Sequence, residues 1–320
     1  MRYIDGFISV IIFLTLTTCG LTNARDSAEV QQERPVVLSY TNSPDIPDHI
    51  RFCGKNIDLR RYNIHEGIDR ELTSMTYMHS STMLLIKRAN RWFPVIEPIL
   101  RANNIPDDFK YLAVIESSLD PIAVSPARAV GIWQLLEGTA RGYGLIITPT
   151  VDERRNVRRA TQAACRYLQE AYDKFGDWMT VAVSYNSGMG RMSEQLDRQG
   201  EESPMQMYFL EETMRYPYRM LAAKILFENP YKYGFVLKAE NLYKPVACDE
   251  EEVATDVPNL AVYAKERGIS YLDLKLFNPW LRDTKLLTAG KRFTILIPQK
   301  NNLNYNTPNK YIHDSRWVVD

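Results

Sequence analysis

Glu116 closes a stretch, IPDDFKYLAVIESS at residues 105–118, that gives a carboxylate very little polar company. Pro106, Asp107 and Asp108 mark a helix start, and Phe109, Leu112, Ala113 and Glu116 then share one helical face. Tyr111, Val114 and Ile115 make the other faces apolar as well, so this helix is expected to be buried. An ionised carboxylate is costly in such a place. Burial raises its pKa, which is what a general acid working near neutral pH requires. A buried Glu satisfied by backbone donors fits the same pattern, so the residue alone leaves a catalytic and a structural role open.

A series of short strings surrounds it. Glu116-Ser117 is followed by a loop at 121–129, then Gly131-Ile132-Trp133-Gln134, Thr139-Ala140 and Tyr143-Gly144-Leu145. Val151-Asp152-Glu153-Arg154, Thr161-Gln162-Ala163-Ala164 and Ser184-Tyr185-Asn186-Ser187-Gly188 come next. In this order and spacing they resemble the catalytic domain of the soluble and membrane-bound lytic murein transglycosylases, the D type especially, over roughly residues 75–235. The resemblance implies a lysozyme-like helical fold with a long cleft for alternating N-acetylglucosamine and N-acetylmuramic acid. It makes Glu116 the single catalytic acid/base, which protonates the glycosidic oxygen and then takes the proton of the muramoyl C6 hydroxyl as a 1,6-anhydro ring closes. No water enters, so no second catalytic carboxylate is needed, whereas inverting hydrolases hold two carboxyls apart to seat a water. Asp120 is near in sequence, but a loop Asp before Pro121 is expected to be a turn or cap residue.

The resemblance also supplies substrate-side residues. Ser117 matches the family's Glu-Ser pair and would orient Glu116 or the sugar; as a helix-end hydroxyl it could equally bond backbone. Gln134 matches Gly-x-x-Gln, with its amide lining the cleft. Tyr185 and Asn186 match Ala-Tyr-Asn, with Ser184 in place of Ala, and Tyr185 is expected to hold and polarise Glu116. Residues 209–216, FLEETMRY, resemble Leu-Pro-x-Glu-Thr-x-x-Tyr, with Leu210 to Tyr216 in register except that Glu211 replaces Pro or another residue, which puts Glu212 and Tyr216 at the border of the glycan subsites. Trp133 and Met189 suit either sugar contact or the core.

The elements that must position these residues are almost all helical. Met83-Leu84-Leu85-Ile86 continues through Trp92, Phe93, Ile96, Ile99 and Leu100 as a long apolar stripe that stops at Asn103-Asn104. Ala160, Ala164, Leu168, Ala171 and Phe175 form a second stripe before Gly176, and Asp177 caps a third helix carrying Trp178, Val181, Ala182 and Tyr185. Past Gly234 the texture changes. A strand at 253–257, a helix opened by Pro258, a second with Ser270 and Asp273 as its capping pattern, and a strand at 293–297 make a βααβ unit. That unit resembles a divergent LysM module, a small fold for N-acetylglucosamine-containing glycan; a packing or spacer role stays open. The fold class expected is mainly α, a lysozyme-like helical catalytic domain plus a small βααβ LysM-like domain. The division expected is 1–18 signal peptide, 19–54 extended linker, 55–236 catalytic domain, 237–300 LysM-like module and 301–320 a loose polar tail.

Lys+Arg and Asp+Glu both number 39, and a protein that neutralises phosphates shows a basic excess, so nucleic acid is not an expected partner. The apolar run at 7–16 is too short to span a bilayer. Leu16-Thr17-Thr18-Cys19 after it looks like a bacterial lipobox, although Thr18 is larger than usual. An exported, periplasmic lipoprotein held to the membrane through Cys19 is expected, with simple cleavage and secretion as the alternative. Cys53, Cys165 and Cys248 then leave no complete disulfide framework, and Cys165 suits a small apolar core position. With the four His scattered at 49, 65, 79 and 313, no metal or other cofactor is expected. The partners expected are peptidoglycan glycan strands, and the chain is expected to be a monomer. A hydrolase on the same fold, or a non-catalytic glycan-binding protein, are the rival functions.

Overall fold

Amphipathic helices build the larger part of the protein because their apolar stripes can be hidden only against one another. The computed structural model describes residues 42–305 and 310–319. The expected signal peptide, Cys19 and most of the linker lie outside these residues. Among the described residues no helix is long and apolar enough to cross a membrane.

The first ordered element is a hairpin, β1 (His49–Phe52) and β2 (Lys55–Asp58). Its two-residue turn puts Cys53 and Gly54 at φ of 48° and 83°, the left-handed pair that matches strand twist. The Cys53 N–H is held by the Asp108 carboxylate at 2.6 Å, and Ile50 and Phe52 are buried in the main core. The expected linker boundary at residue 54 therefore falls inside this hairpin, whose Phe52 lies 6.5 Å from Phe109 between ring centres in the main core.

α1 (Tyr62–Tyr77) and α2 (His79–Ala102) follow. α3 (Lys110–Ser117) carries Glu116 and ends at Ser118 in the left-handed conformation. After the short α4 (Glu137–Gly142), α5 (Val157–Phe175) runs as expected to Gly176, with nine buried residues along its inner stripe. α6 (Trp178–Ser187) starts where the Asp177 side chain accepts the Thr180 N–H. α7 (Met189–Gln199) and α8 (Glu211–Glu228) complete this part. α8 packs along α1, α3 and α6, so it is the central strut.

The second, smaller core is the expected βααβ unit: β3 (Cys248–Val253), α9 (Leu260–Glu266), α10 (Tyr271–Phe277) and β4 (Phe293–Pro298), with β3 and β4 antiparallel. Its first strand differs from expectation. It is the acidic run itself, not residues 253–257. Each acid has a partner: Asp249 with Gln299, Glu250 with Arg158, Glu251 with Arg267 and Glu252 with Arg292. Those partners relieve the like-charge repulsion that would otherwise oppose pairing.

The end of the chain also corrects its expectation. Residues 310–319 are docked, not loose. Trp317 is 3% exposed, lies 5.6 Å from Phe227 and 5.8 Å from Phe93 between ring centres, and donates its indole N–H to the Phe227 carbonyl at 2.8 Å. Asn90, fully buried in α2, accepts the His313 N–H and donates to the Tyr243 and Tyr311 carbonyls. One large aromatic and one buried amide are enough to hold an otherwise polar segment. Trp317→Ala is accordingly expected to destabilise the protein by about 3–5 kcal/mol, checked by urea denaturation.

Candidate active site

Glu116 sits in the last turn of α3 among Tyr111, Leu112, Ala113 and Val114, all buried. Its side chain is drawn toward α8, whose Tyr216 hydroxyl donates to Glu116 Oε1. Burial is the larger influence and pushes the carboxyl up to about 7. The Tyr216 hydrogen bond opposes that rise, the nearby Glu212 charge adds to it, and Arg219 works against it. Glu212, Tyr216 and Arg219 are spaced i, i+4 and i+7, so one face of α8 carries all three groups that tune Glu116. Burial also raises the Tyr216 and Tyr185 hydroxyls well above their usual range, which keeps both as proton-bearing donors.

The other expected residues are distributed as follows. Tyr185 is close enough to feel the Glu116 charge, but its hydroxyl donates to the Trp133 carbonyl at 2.7 Å. The direct hydrogen bond expected of Tyr185 is made by Tyr216 instead. Asn186 accepts from the Thr213 hydroxyl at 2.9 Å, which ties α6 to the first turn of α8. The Ser117 hydroxyl donates to the Ile132 carbonyl at 2.9 Å and to Ala113 at 3.3 Å, so it fixes the end of the Glu116 helix to the neighbouring turn without touching the carboxyl. Gln134, at φ 47°, closes that turn by donating its side-chain amide to the Gly131 carbonyl at 2.8 Å. Glu212 is exposed at the start of α8. Asp120 accepts the Ile122 N–H at 3.0 Å, the turn-closing role expected of it. Trp133 is fully buried, with its indole N–H on the Thr161 hydroxyl at 2.8 Å, so it is core and not a sugar platform. Cys165 is also core.

Sequence reasoning missed what holds α8 in place. Glu71 of α1 is 5% exposed and takes a two-point grip from Arg215, at 2.6 and 3.1 Å, with Arg219 at 3.6 Å. No motif announced this pair, since 144 residues separate its members. Beside it a cavity of about 390 Å³ opens between α1, residues 204–208 and the start of α8, lined by Glu211 and Arg215, the immediate neighbours of Glu212 and Tyr216.

A half-buried carboxyl with a pKa near 7 and one neutral donor can release a proton and take it back within a single reaction. Residues 94–207, which include Glu116, match the sequence model of the transglycosylase SLT domain. That stretch is similar to an SLT domain. Residues 249–301 match the soluble lytic transglycosylase C-terminal LysM-like domain. The chain is 31% identical to membrane-bound lytic murein transglycosylase D of Escherichia coli strain K12, over 74% of its own length and 52% of that relative. It thus spans about half of the relative. It is 35% identical to the peptidoglycan transglycosylase gp16 of Escherichia phage T7 over 28% of this chain and 7% of that one. The crystal structure of the 70 kDa soluble lytic transglycosylase of Escherichia coli overlaps 44% of this chain and 24% of that chain, at 22% identity and a TM-score of 0.37. Tyr216, which bonds Glu116, lies outside the matched SLT residues.

The pKa of Glu116 sets a dependence of stability on pH. Its folded value, about 7, is above the ordinary 4.5, so the benefit of burying the neutral carboxyl is complete below about pH 4.5 and is lost as pH rises through 7. Glu116→Gln, always neutral, is expected to be more stable than the native chain at pH 8.5 by on the order of 3 kcal/mol. That difference should close at pH 4, as read from urea midpoints at the two pH values.

Proposed function

We propose that this protein is a peptidoglycan lytic transglycosylase that cleaves the β-1,4 bond between N-acetylmuramic acid and N-acetylglucosamine and leaves 1,6-anhydromuramoyl ends. The observation that carries this reading is Glu116: a carboxyl held near pKa 7 by burial, bonded by Tyr216, in the stretch that matches an SLT domain. Glu116 gives its proton to the glycosidic oxygen as the bond to the anomeric carbon breaks. The carboxylate so formed takes the proton of the C6 hydroxyl, whose oxygen bonds the same carbon. The proton lost in the first half is regained in the second, and water is not consumed. Asp120 is occupied by its own turn, which favours a mechanism with one carboxyl over one with a second carboxyl seating a water.

In this scheme Tyr216 steadies the carboxylate between the two steps, since a neutral donor stabilises the developing anion without fixing the group as charged. Glu212, on the exposed side of the same turn, borders the sugar and disfavours early ionisation of Glu116. Asn186 and Gln134 face substrate with whatever polar capacity their internal bonds leave, while Ser117 and Tyr185 hold the walls. We take residues 55–236 as catalytic and 237–300 as a glycan-binding LysM-like module. Export to the periplasm, a lipid anchor on Cys19 and a monomeric state complete the proposal. The likeness to a membrane-bound relative supports the location.

Digestion of purified peptidoglycan, with products separated and weighed, tests the reaction. Every new muramoyl end is expected to be lighter by one water than a reducing end, and Glu116→Gln should lower product release at least a thousandfold. Reducing ends from the native chain would assign a hydrolase instead, and undiminished release from Glu116→Gln would remove Glu116 from the mechanism.

A further inference from the structure

The string Val151-Asp152-Glu153-Arg154 takes no part in the proton chemistry, yet it is where the two cores meet. Val151 is fully buried, and its side chain belongs to the second core, with Leu260, Trp280, Leu281 and Leu286. Backbone bonds close the seam on both sides of it. The Asp152 N–H donates to the Trp280 carbonyl at 2.9 Å, and the Arg282 N–H donates to the Thr150 carbonyl at 2.9 Å. The Asp152 carboxylate, 1% exposed, receives Arg154 Nε at 2.9 Å and Nη2 at 2.8 Å. Arg154 Nη1 in turn donates to the Arg128 and Leu135 carbonyls, both at 3.3 Å, the two ends of one turn. In the middle of that turn Gly131 rests on the Arg154 carbonyl so closely that a Cβ would lie 1.9 Å from its oxygen. The same turn provides the Ile132 carbonyl that anchors Ser117 and the Trp133 carbonyl that anchors Tyr185.

We propose that the C-terminal module is a positioning part of the catalytic site. By closing on residues 150–152 it fixes Asp152 and Arg154, and through them the turn at 128–135 against which the end of the Glu116 helix is set. Without the module, the Asp152 N–H loses its acceptor and Val151 faces water, so the buried Arg154–Asp152 pair loses the frame that makes its geometry tolerable. This role requires no glycan on the module. Val151, Asp152 and Arg154 are positioning residues that act through the turn. The kinetic half of the test rests on the activity proposed above; the exchange half does not.

Val151→Asp in the full chain forces a charge into the second core and opens the seam. Hydrogen exchange of the Val130, Gly131, Gln134 and Leu135 amides, all bonded in the native turn, is expected to accelerate at least tenfold while the amides of α6 keep their rates. On a short soluble glycan fragment, kcat should fall at least tenfold with KM within twofold, and Val151→Ile should behave as the native chain. If Val151→Asp also loosens α6, the milder Val151→Thr gives the same comparison. Free exchange at Asp152 and Arg282 with native rates in the turn would overturn the proposal, and so would a seam that stays closed in both variants. A native chain that releases no anhydro ends would sink the proposed activity while the exchange comparison still decides the clamp.

Discussion

The contact between Glu116 and Tyr216 joins residues 100 apart, and most of the large core can be understood as what keeps them together. Burying the carboxyl opposes its ionisation, and the tyrosine hydroxyl recovers only part of that cost, which is why the group settles near 7 and not at either extreme. The balance depends on where α8 stands relative to α3. Three polar ties set that position: Glu71 with Arg215 on the α1 side, Thr213 with Asn186 on the α6 side, and Lys224 with Asp108 at 2.6 Å beyond α3. Buried ion pairs add little net stability compared with apolar packing, but breaking one partner costs about 3–5 kcal/mol. They penalise a shifted helix far more than they reward a correct one, which suits a strut that must deliver one hydroxyl to one oxygen.

How much of this was legible in the sequence differs from element to element. Helices with an inner stripe and a stop, such as α5 before Gly176 and α6 after Asp177, were readable because local capping and packing agree. Glu116 was readable for the opposite reason, as a charge in conflict with its surroundings. The hairpin at 49–58 was not. Its turn is Cys-Gly, not the usual Asn-Gly, and the left-handed cysteine is held by Asp108, more than fifty residues away. The β3 strand was hidden because three ion pairs and one amide hydrogen bond, not apolar alternation, stabilise its acids, and all four partners are more than fifteen residues distant. Trp317 looked like a lone aromatic in a polar tail, and nothing local says that its socket is Phe93 and Phe227. Exchanging Tyr185 for Tyr216 is the same kind of miss. The motifs put Tyr185 at Glu116 and Tyr216 at the border of the glycan subsites, but the direction of the Tyr185 hydroxyl is decided by the carbonyl that Trp133 presents.

That carbonyl leads to the turn at 131–134, where the residue types are explained by backbone needs before any contact with substrate. Gly131 has φ of 83°, and the closeness of the Arg154 carbonyl forbids a side chain even in a conformation that could hold one. Gln134 is itself left-handed, at φ 47°, and its amide bridges back to the Gly131 carbonyl, replacing a solvent partner that a half-buried turn could not count on. Trp133 drives its ring into the core and presents its carbonyl to the Tyr185 hydroxyl. A four-residue string of this kind can therefore be retained by geometry alone. Arg154, paired with Asp152, holds the ends of this turn from behind, and the Ile132 carbonyl within it takes the Ser117 hydroxyl at the end of the Glu116 helix. Glu116 is thus defined from two sides, by a tyrosine that bonds it and by a turn that never touches it.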